Sequence, residues 1–162
     1  MTALDSYFSN EAKNIIEKFL IDQEIITVIP NENNWHCFIG GSRRFGYYIE
    51  NSDLDLFYYT TMIPNKYREI LIFNGFKENV PYVNFEGCST GWKHPKYNIH
   101  IVLIGQVDYF NKVANDHIKV ENFIKCNPQI IPFIQNLKVQ RVKLKGSVIY
   151  KTLLRMTQLQ GY

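Results

Sequence analysis

The residues able to do chemistry gather in one stretch, Gly41 to Leu56, which reads Gly-Ser-Arg-Arg-Phe-Gly-Tyr-Tyr-Ile-Glu-Asn-Ser-Asp-Leu-Asp-Leu. Asp53 and Asp55 are two residues apart at the head of an apolar run. In a strand, side chains at i and i+2 share a face, so the two carboxylates stand together while Leu54 and Leu56 turn toward a core. Paired carboxylates are hard oxygen ligands suited to Mg²⁺ or Mn²⁺. Such a cation can bridge nucleotide phosphates and neutralise the charge that grows as pyrophosphate leaves. Upstream, the Gly41-Ser42 turn lets backbone N–H groups and a hydroxyl approach phosphate oxygens without a Cβ in the way. Arg43 and Arg44 lie in the same turn, with guanidinium forks suited to phosphate. Ser52 directly precedes the acids and joins the candidate nucleotide-binding set. Each piece alone is ordinary, because a Gly-Gly-Ser is usually a turn and a Ser-Asp-x-Asp usually a capped loop. A turn, a short interval and paired acids running straight into a strand are a much less common conjunction.

The elements that must position these residues follow from periodicity. Trp35 to Gly41 reads as a strand ending on glycines, and Leu54 to Thr61, rich in aromatic and β-branched residues, as the next strand. Before them, Asn10 to Gln23 has helical spacing through Ile15, Ile16, Phe19 and Leu20, and Ile25 to Pro30 is a short β-branched run. After them, Tyr67 to Asn74 is a short helix with Gly75 as its cap. Val80 to Phe85 and Tyr97 to Ile104 read as strands joined by a loop holding Gly87, Gly91, Trp92 and Pro95. From Val107 the pattern becomes helical: Asp108 to Ala114, Val120 to Cys126, Pro128 to Lys143 and Ser147 to Gln158. The expected fold is a single α/β (α+β) domain over residues 1–162, a small mixed β-sheet flanked by helices.

Composition narrows the class. The chain has 162 residues, enough for one core, and 46% hydrophobic with 20% charged residues argues against wholesale disorder. A net charge of +3 permits an anionic substrate but lacks the clustered Lys and Arg of a nucleic-acid coat. Cys37, Cys88 and Cys126 form no CxxC pair, which disfavours a disulfide framework or a cysteine zinc site and fits a reducing cytoplasm. The chain reads as having neither an export signal nor a membrane span.

Gly41-Ser42, Gly46 and Ser52-Asp53-Leu54-Asp55-Leu56 together resemble the signature of the DNA polymerase β-like nucleotidyltransferase superfamily, in the compact spacing of minimal nucleotidyltransferases. The resemblance implies a nucleotidyltransferase-type fold, with the glycine-serine turn cradling the triphosphate and Asp53 and Asp55 binding metal. It also implies transfer of a nucleotidyl group from an NTP to an acceptor hydroxyl or phosphate on a protein, an RNA or a small molecule. Downstream, Tyr97-Asn98-Ile99-His100-Ile101-Val102, Asn122 to Gln129 and Leu137-Lys138 are similar to GrpB-like proteins.

Active members of that superfamily usually carry a third carboxylate on a later strand. Tyr97 to Ile104 offers His100 instead. Imidazole is suited to accept a proton near neutral pH and can ligate metal, which makes His100 the candidate third group. Glu86 is the alternative source of a carboxylate. A further alternative is a catalytically silent module that binds a nucleotide or a partner protein, for instance as half of a toxin–antitoxin pair. Lys138, Arg141, Lys143 and Lys145 read as a solvated helix face. Tyr47 and Tyr48 fall in a loop with little core to fill.

Overall fold

The alternation around the acid pair governs the centre of the molecule. The computed structural model describes residues 36–59, 65–83, 89–140 and 146–161. Strand β2 (Leu54–Tyr59) buries every second residue, and Leu54 and Leu56 are fully enclosed. Burying an aliphatic side chain of this size is worth about 1.5–3 kcal/mol, so these leucines fix which face of the strand is inside. Asp53 and Asp55 are thereby committed to the other face.

β2 lies between β1 (His36–Gly40), antiparallel to it, and β5 (Ile99–Ile104), parallel to it. β4 (Ser89–Lys93) adds antiparallel to β5, and β3 (Lys77–Val83) antiparallel to β4. Among the described residues the sheet has five strands in the order β1-β2-β5-β4-β3. It is the mixed sheet expected, flanked by helices α1 (Gly41–Phe45), α2 (Asn65–Phe73), α3 (Val107–Cys126), α4 (Ile130–Val139) and α5 (Gly146–Leu159).

Both faces of the sheet are covered. On one, Leu54, Leu56, Ile99, Ile101 and Leu103 pack with Trp92 and with Leu71 of α2. On the other, Phe38 and Ile104 pack on Phe110 and Ala114 of α3, with Phe57 and Val102 against them. A third cluster joins the helices: Phe45 of α1, Val120 and Phe123 of α3, Ile134 of α4 and Leu153 of α5. The site residues lie on the α3 side, at the end of the sheet where β1 stops and β2 and β5 begin.

Several boundaries differ from those read off the sequence. β4 occupies part of the stretch expected to be a loop, because Thr90 and Trp92 are buried against β5 and the Trp92 indole donates to Thr90 Oγ1 at 2.9 Å. α3 is one helix of 20 residues rather than two segments. The polar residues between Asn115 and Lys119 do not break the helix, because Asn115 and Lys119 are exposed while His117 between them joins the buried face. β3 starts at Lys77, three residues before Val80. The expected helix from Asn10 to Gln23, the run from Ile25 to Pro30, Trp35, Glu86, Arg141, Lys143 and Lys145 lie outside the described residues.

Candidate active site

The turn from β1 into α1 is pressed directly against β2. Gly40 pairs with Asp55 in the antiparallel ladder, and Gly41 follows with φ +68°. A Cβ on Gly41 would stand 2.0 Å from Asp55 Oδ2, and one on Gly40 would meet the Phe57 ring at 2.5 Å and His117 Nε2 at 2.7 Å. Glycine is required at both places by contact, and at Gly41 by backbone conformation as well. α1 then runs only five residues before Gly46, at φ +89°, ends it with its N–H on Ser42 O at 2.9 Å. Ser42 itself is buried.

The loop from Gly46 to Asp53 is held at several points. Arg43 donates both Nε (3.2 Å) and Nη2 (3.0 Å) to the Ser52 carbonyl, and its guanidinium lies 5.0 Å from the Tyr48 ring centroid. Ser52 Oγ accepts the Ile49 N–H at 2.9 Å, while Ser52 N–H donates to Ile49 O at 2.9 Å. α4 reaches over from outside: Gln135 Nε2 donates to Tyr48 O (2.9 Å) and Lys138 Nζ to Ser52 Oγ (3.2 Å). Leu54 N–H donates to Asn98 O at 2.8 Å, which ties the start of β2 to the approach to β5. Asp53 is therefore presented from a braced loop.

The parallel register sets Asp55 beside His100, and His100 Nδ1 lies 3.0 Å from Asp55 Oδ1. One ligand-capable atom each from Asp53, Asp55 and His100 falls within 4.8 Å of the others, the one such group of three His, Cys, Asp or Glu side chains among the described residues. His100 Nε2 is buried with no hydrogen-bond partner. Two carboxylates and an imidazole that offer one donor atom each within this distance are a donor set that fits a divalent cation.

Burial raises the Asp55 carboxyl above its usual range, and the Asp53 charge adds to this. The hydrogen bond and charge of His100, and the more distant Lys93, oppose it. Lys93, opposite His100 on β4, brings Nζ to 3.9 Å from Asp53 Oδ2. Lys138 is half-buried. Burial pulls its ammonium below the ordinary lysine value, and the Asp53 and Asp55 carboxylates partly offset that. The site thus combines two acids, an imidazole and two ammonium groups at one end of the sheet.

Of the residues singled out in the sequence, the structure gathers Gly41, Ser52, Asp53, Asp55 and His100. Arg43 is engaged with the Ser52 carbonyl. Arg44 pairs with Glu121 of α3 at 3.0 Å and donates to Ile39 O at 3.1 Å. Two expectations need correction. Lys138 is not a solvated surface charge: it shares a helix face with the buried Ile134 one turn earlier, a spacing visible in the sequence, and so points at Ser52. Tyr47, although in the loop, does have a core to fill: it is buried beside Phe45, with ring centroids 5.9 Å apart. Lys93 was missed altogether, because the strand that carries it read as a loop.

No protein-family model matches the chain, the GrpB-like proteins included, and no curated protein matches it. Solved structures are similar at low identity. A structure of Cid1 in complex with its short product ApU is 18% identical, with a TM-score of 0.48 over 80% of this chain and 36% of that one. The Cid1 poly(U) polymerase with Mg and 3'-dATP bound is 15% identical, with a TM-score of 0.47 over 80% of this chain and 40% of that one. A cytoplasmic RNA terminal U-transferase is 17% identical, with a TM-score of 0.33 over 58% and 28%. The chain spans well under half the length of each of these proteins.

Proposed function

We propose that the chain is a metal-dependent nucleotidyltransferase, moving a nucleotidyl group from an NTP to an acceptor hydroxyl or phosphate. The observation that carries this reading is the convergence of Asp53, Asp55 and His100 under the Gly41 turn. A sequence signature of glycine-serine turn and paired acids meets there a geometry able to hold a cation. Asp53 and Asp55 would hold Mg²⁺ or Mn²⁺, which when bound neutralises charge on the phosphates. The chain's own residues do the remainder. The Gly41 backbone and Ser42 line the approach for the triphosphate. Lys138 supplies a half-buried cation within reach of phosphate oxygens, where exclusion of water strengthens its attraction. His100, next to Asp55, would take the part of the superfamily's third carboxylate and accept the proton of the attacking hydroxyl. Arg43 and Arg44 enter as braces of the loop and of α1.

The histidine in place of a third acid also supports the second reading, a module that binds nucleotide without turning it over. The two separate experimentally. Asp53→Asn is expected to abolish NTP consumption and metal-dependent nucleotide binding with little change in melting temperature. Wild type that binds nucleotide through Asp53 yet consumes no NTP with RNA, protein or small-molecule acceptors is the silent module. Wild type in which neither NTP nor Mn²⁺ binds in an Asp53-dependent way refutes both.

A further inference from the structure

We infer that Lys93 and Lys138 are resident counter-ions of the carboxylate pair, which the site exchanges for a divalent cation when a polyphosphate arrives to take the two ammonium groups. The inference rests on the metal-binding reading above and concerns how that site is loaded. Its first support is charge. A third carboxylate would add a negative charge, but His100 adds none, and among the described residues Asp53 and Asp55 are the only acids of the cluster. Lys93 Nζ stands 3.9 Å from Asp53 Oδ2, and Lys138 Nζ reaches the side chain of Ser52, the residue preceding Asp53. Two carboxylates and two ammonium groups sum to no formal charge before any metal binds.

The second support is mobility of the right kind. Lysine carries its charge on a flexible stem with rotatable donors, unlike the fixed fork of arginine. Lys93 is half-exposed and can swing away from Asp53 at little cost. Lys138 lies 5.4 Å from the Tyr47 ring centroid and is bound through one hydroxyl, so its ammonium gives up a single hydrogen bond when it turns to a phosphate. A free divalent cation entering alone must sit beside both lysines. A cation entering with polyphosphate brings the anions that draw them off. Metal and nucleotide therefore favour one another's binding, and by linkage the coupling is reciprocal.

The consequence is a pair of effects of opposite sign. Removing the lysine charges should tighten free Mn²⁺ and weaken polyphosphate. A merely structural role for the lysines would weaken both or neither. The test is calorimetry at low salt with Mn²⁺ alone and, separately, with inorganic tripolyphosphate alone, on wild type, Lys93→Gln, Lys138→Gln and the double variant. Glutamine keeps a hydrogen-bonding group near Ser52, and Lys138→Arg restores the charge. For the double variant, Mn²⁺ affinity is expected to rise by about threefold or more and tripolyphosphate affinity to fall by about tenfold. Lys138→Arg should resemble wild type in Mn²⁺ affinity. Should Lys138→Gln fail to fold, Lys93→Gln on the half-exposed strand residue carries the same sign test. Mn²⁺ affinity that is unchanged or weaker in the lysine variants, while wild-type binding is lost in Asp53→Asn/Asp55→Asn, overturns the inference alone. Wild type that binds no Mn²⁺ through these aspartates overturns the metal-site reading and this inference with it.

Discussion

At the scale of single residues, the site depends on what is missing from Gly41. Asp55 Oδ2 occupies the place where a side chain on residue 41 would begin. Gly41→Ala must displace the carboxylate, and it must also hold a non-glycine residue at φ +68°, which costs about 1–2 kcal/mol. The expected outcome is loss of Asp-dependent Mn²⁺ binding together with a lower urea midpoint. Near-wild-type Mn²⁺ affinity in that variant would mean that Asp55 is not a ligand. Asp55→Asn should part these two readouts. Burial raises the Asp55 carboxyl above its usual range, so the ionised form carries an energetic cost at neutral pH that a neutral amide avoids. Metal binding is expected to vanish while the melting temperature stays level or rises, the pattern of a residue kept for function at some expense of stability. A marked fall in melting temperature would assign Asp55 a structural role.

At the scale of elements, the acids are positioned by a loop that α1 and α4 restrain directly, while α3 holds α1. Arg43 of α1 makes two hydrogen bonds to the Ser52 carbonyl, and α4 adds Gln135 and Lys138. Charged-group hydrogen bonds contribute about 1.5–3 kcal/mol each, and a carbonyl left unpaired loses comparably. Arg43→Lys keeps the charge but loses the fork. It is expected to lower stability by about 1–2 kcal/mol in urea titrations and to weaken Mn²⁺ binding through a misplaced Asp53. Unchanged stability with weakened tripolyphosphate binding would instead make Arg43 a phosphate ligand. α3 holds α1 through Glu121, whose partner Arg44 is nearly enclosed while Glu121 remains partly exposed. The sequence reveals these elements unevenly. Strand β2 and the face of Asp53 and Asp55 are legible because Leu54 and Leu56 alternate with them. Strand β5 is legible through its crowd of aliphatics. β4 is not, since Ser89-Thr90-Gly91-Trp92-Lys93 carries its β character only through pairing with a neighbour. The spacing of Ile134 and Lys138 shows which helix face Lys138 is on, but its contact with Ser52, like the pairing of Arg44 with Glu121, joins residues far apart in the chain, and no local pattern encodes the partner.

At the scale of the whole molecule, one histidine draws the layers together. His117 of α3 is buried among Phe38 of β1, Phe57 of β2, Phe45 of α1 and Tyr150 of α5, with ring centroids between 4.7 and 5.6 Å. Its Nδ1 lies 2.7 Å from Val113 O and 3.2 Å from the Tyr150 hydroxyl, and its Nε2 fills the space under Gly40. Burial pushes its pKa down to about 3, the Val113 carbonyl opposes the shift, and the Arg44 charge adds to it. The sign follows from proton counting. The unfolded chain takes up a proton at His117 near pH 6.5 and the folded protein near 3, so between those values the unfolded state binds more protons and stability falls as pH falls. Above pH 6.5 the contribution is complete, and inside the window it is lost at about 1.4 kcal/mol per pH unit at most. Asp55 acts oppositely, because its raised carboxyl returns stability as pH falls, so the total profile is shallower than His117 alone would give. The difference between wild type and His117→Phe isolates the histidine. Phenylalanine keeps the aromatic packing and cannot be protonated. Urea titrations at pH 7.5, 6 and 5 should show the stability advantage of wild type over the variant shrinking, or the variant overtaking it, as pH falls. A difference that stays constant across this range would mean that His117 is protonated inside the folded protein, and that the aromatic cage does not hold it neutral.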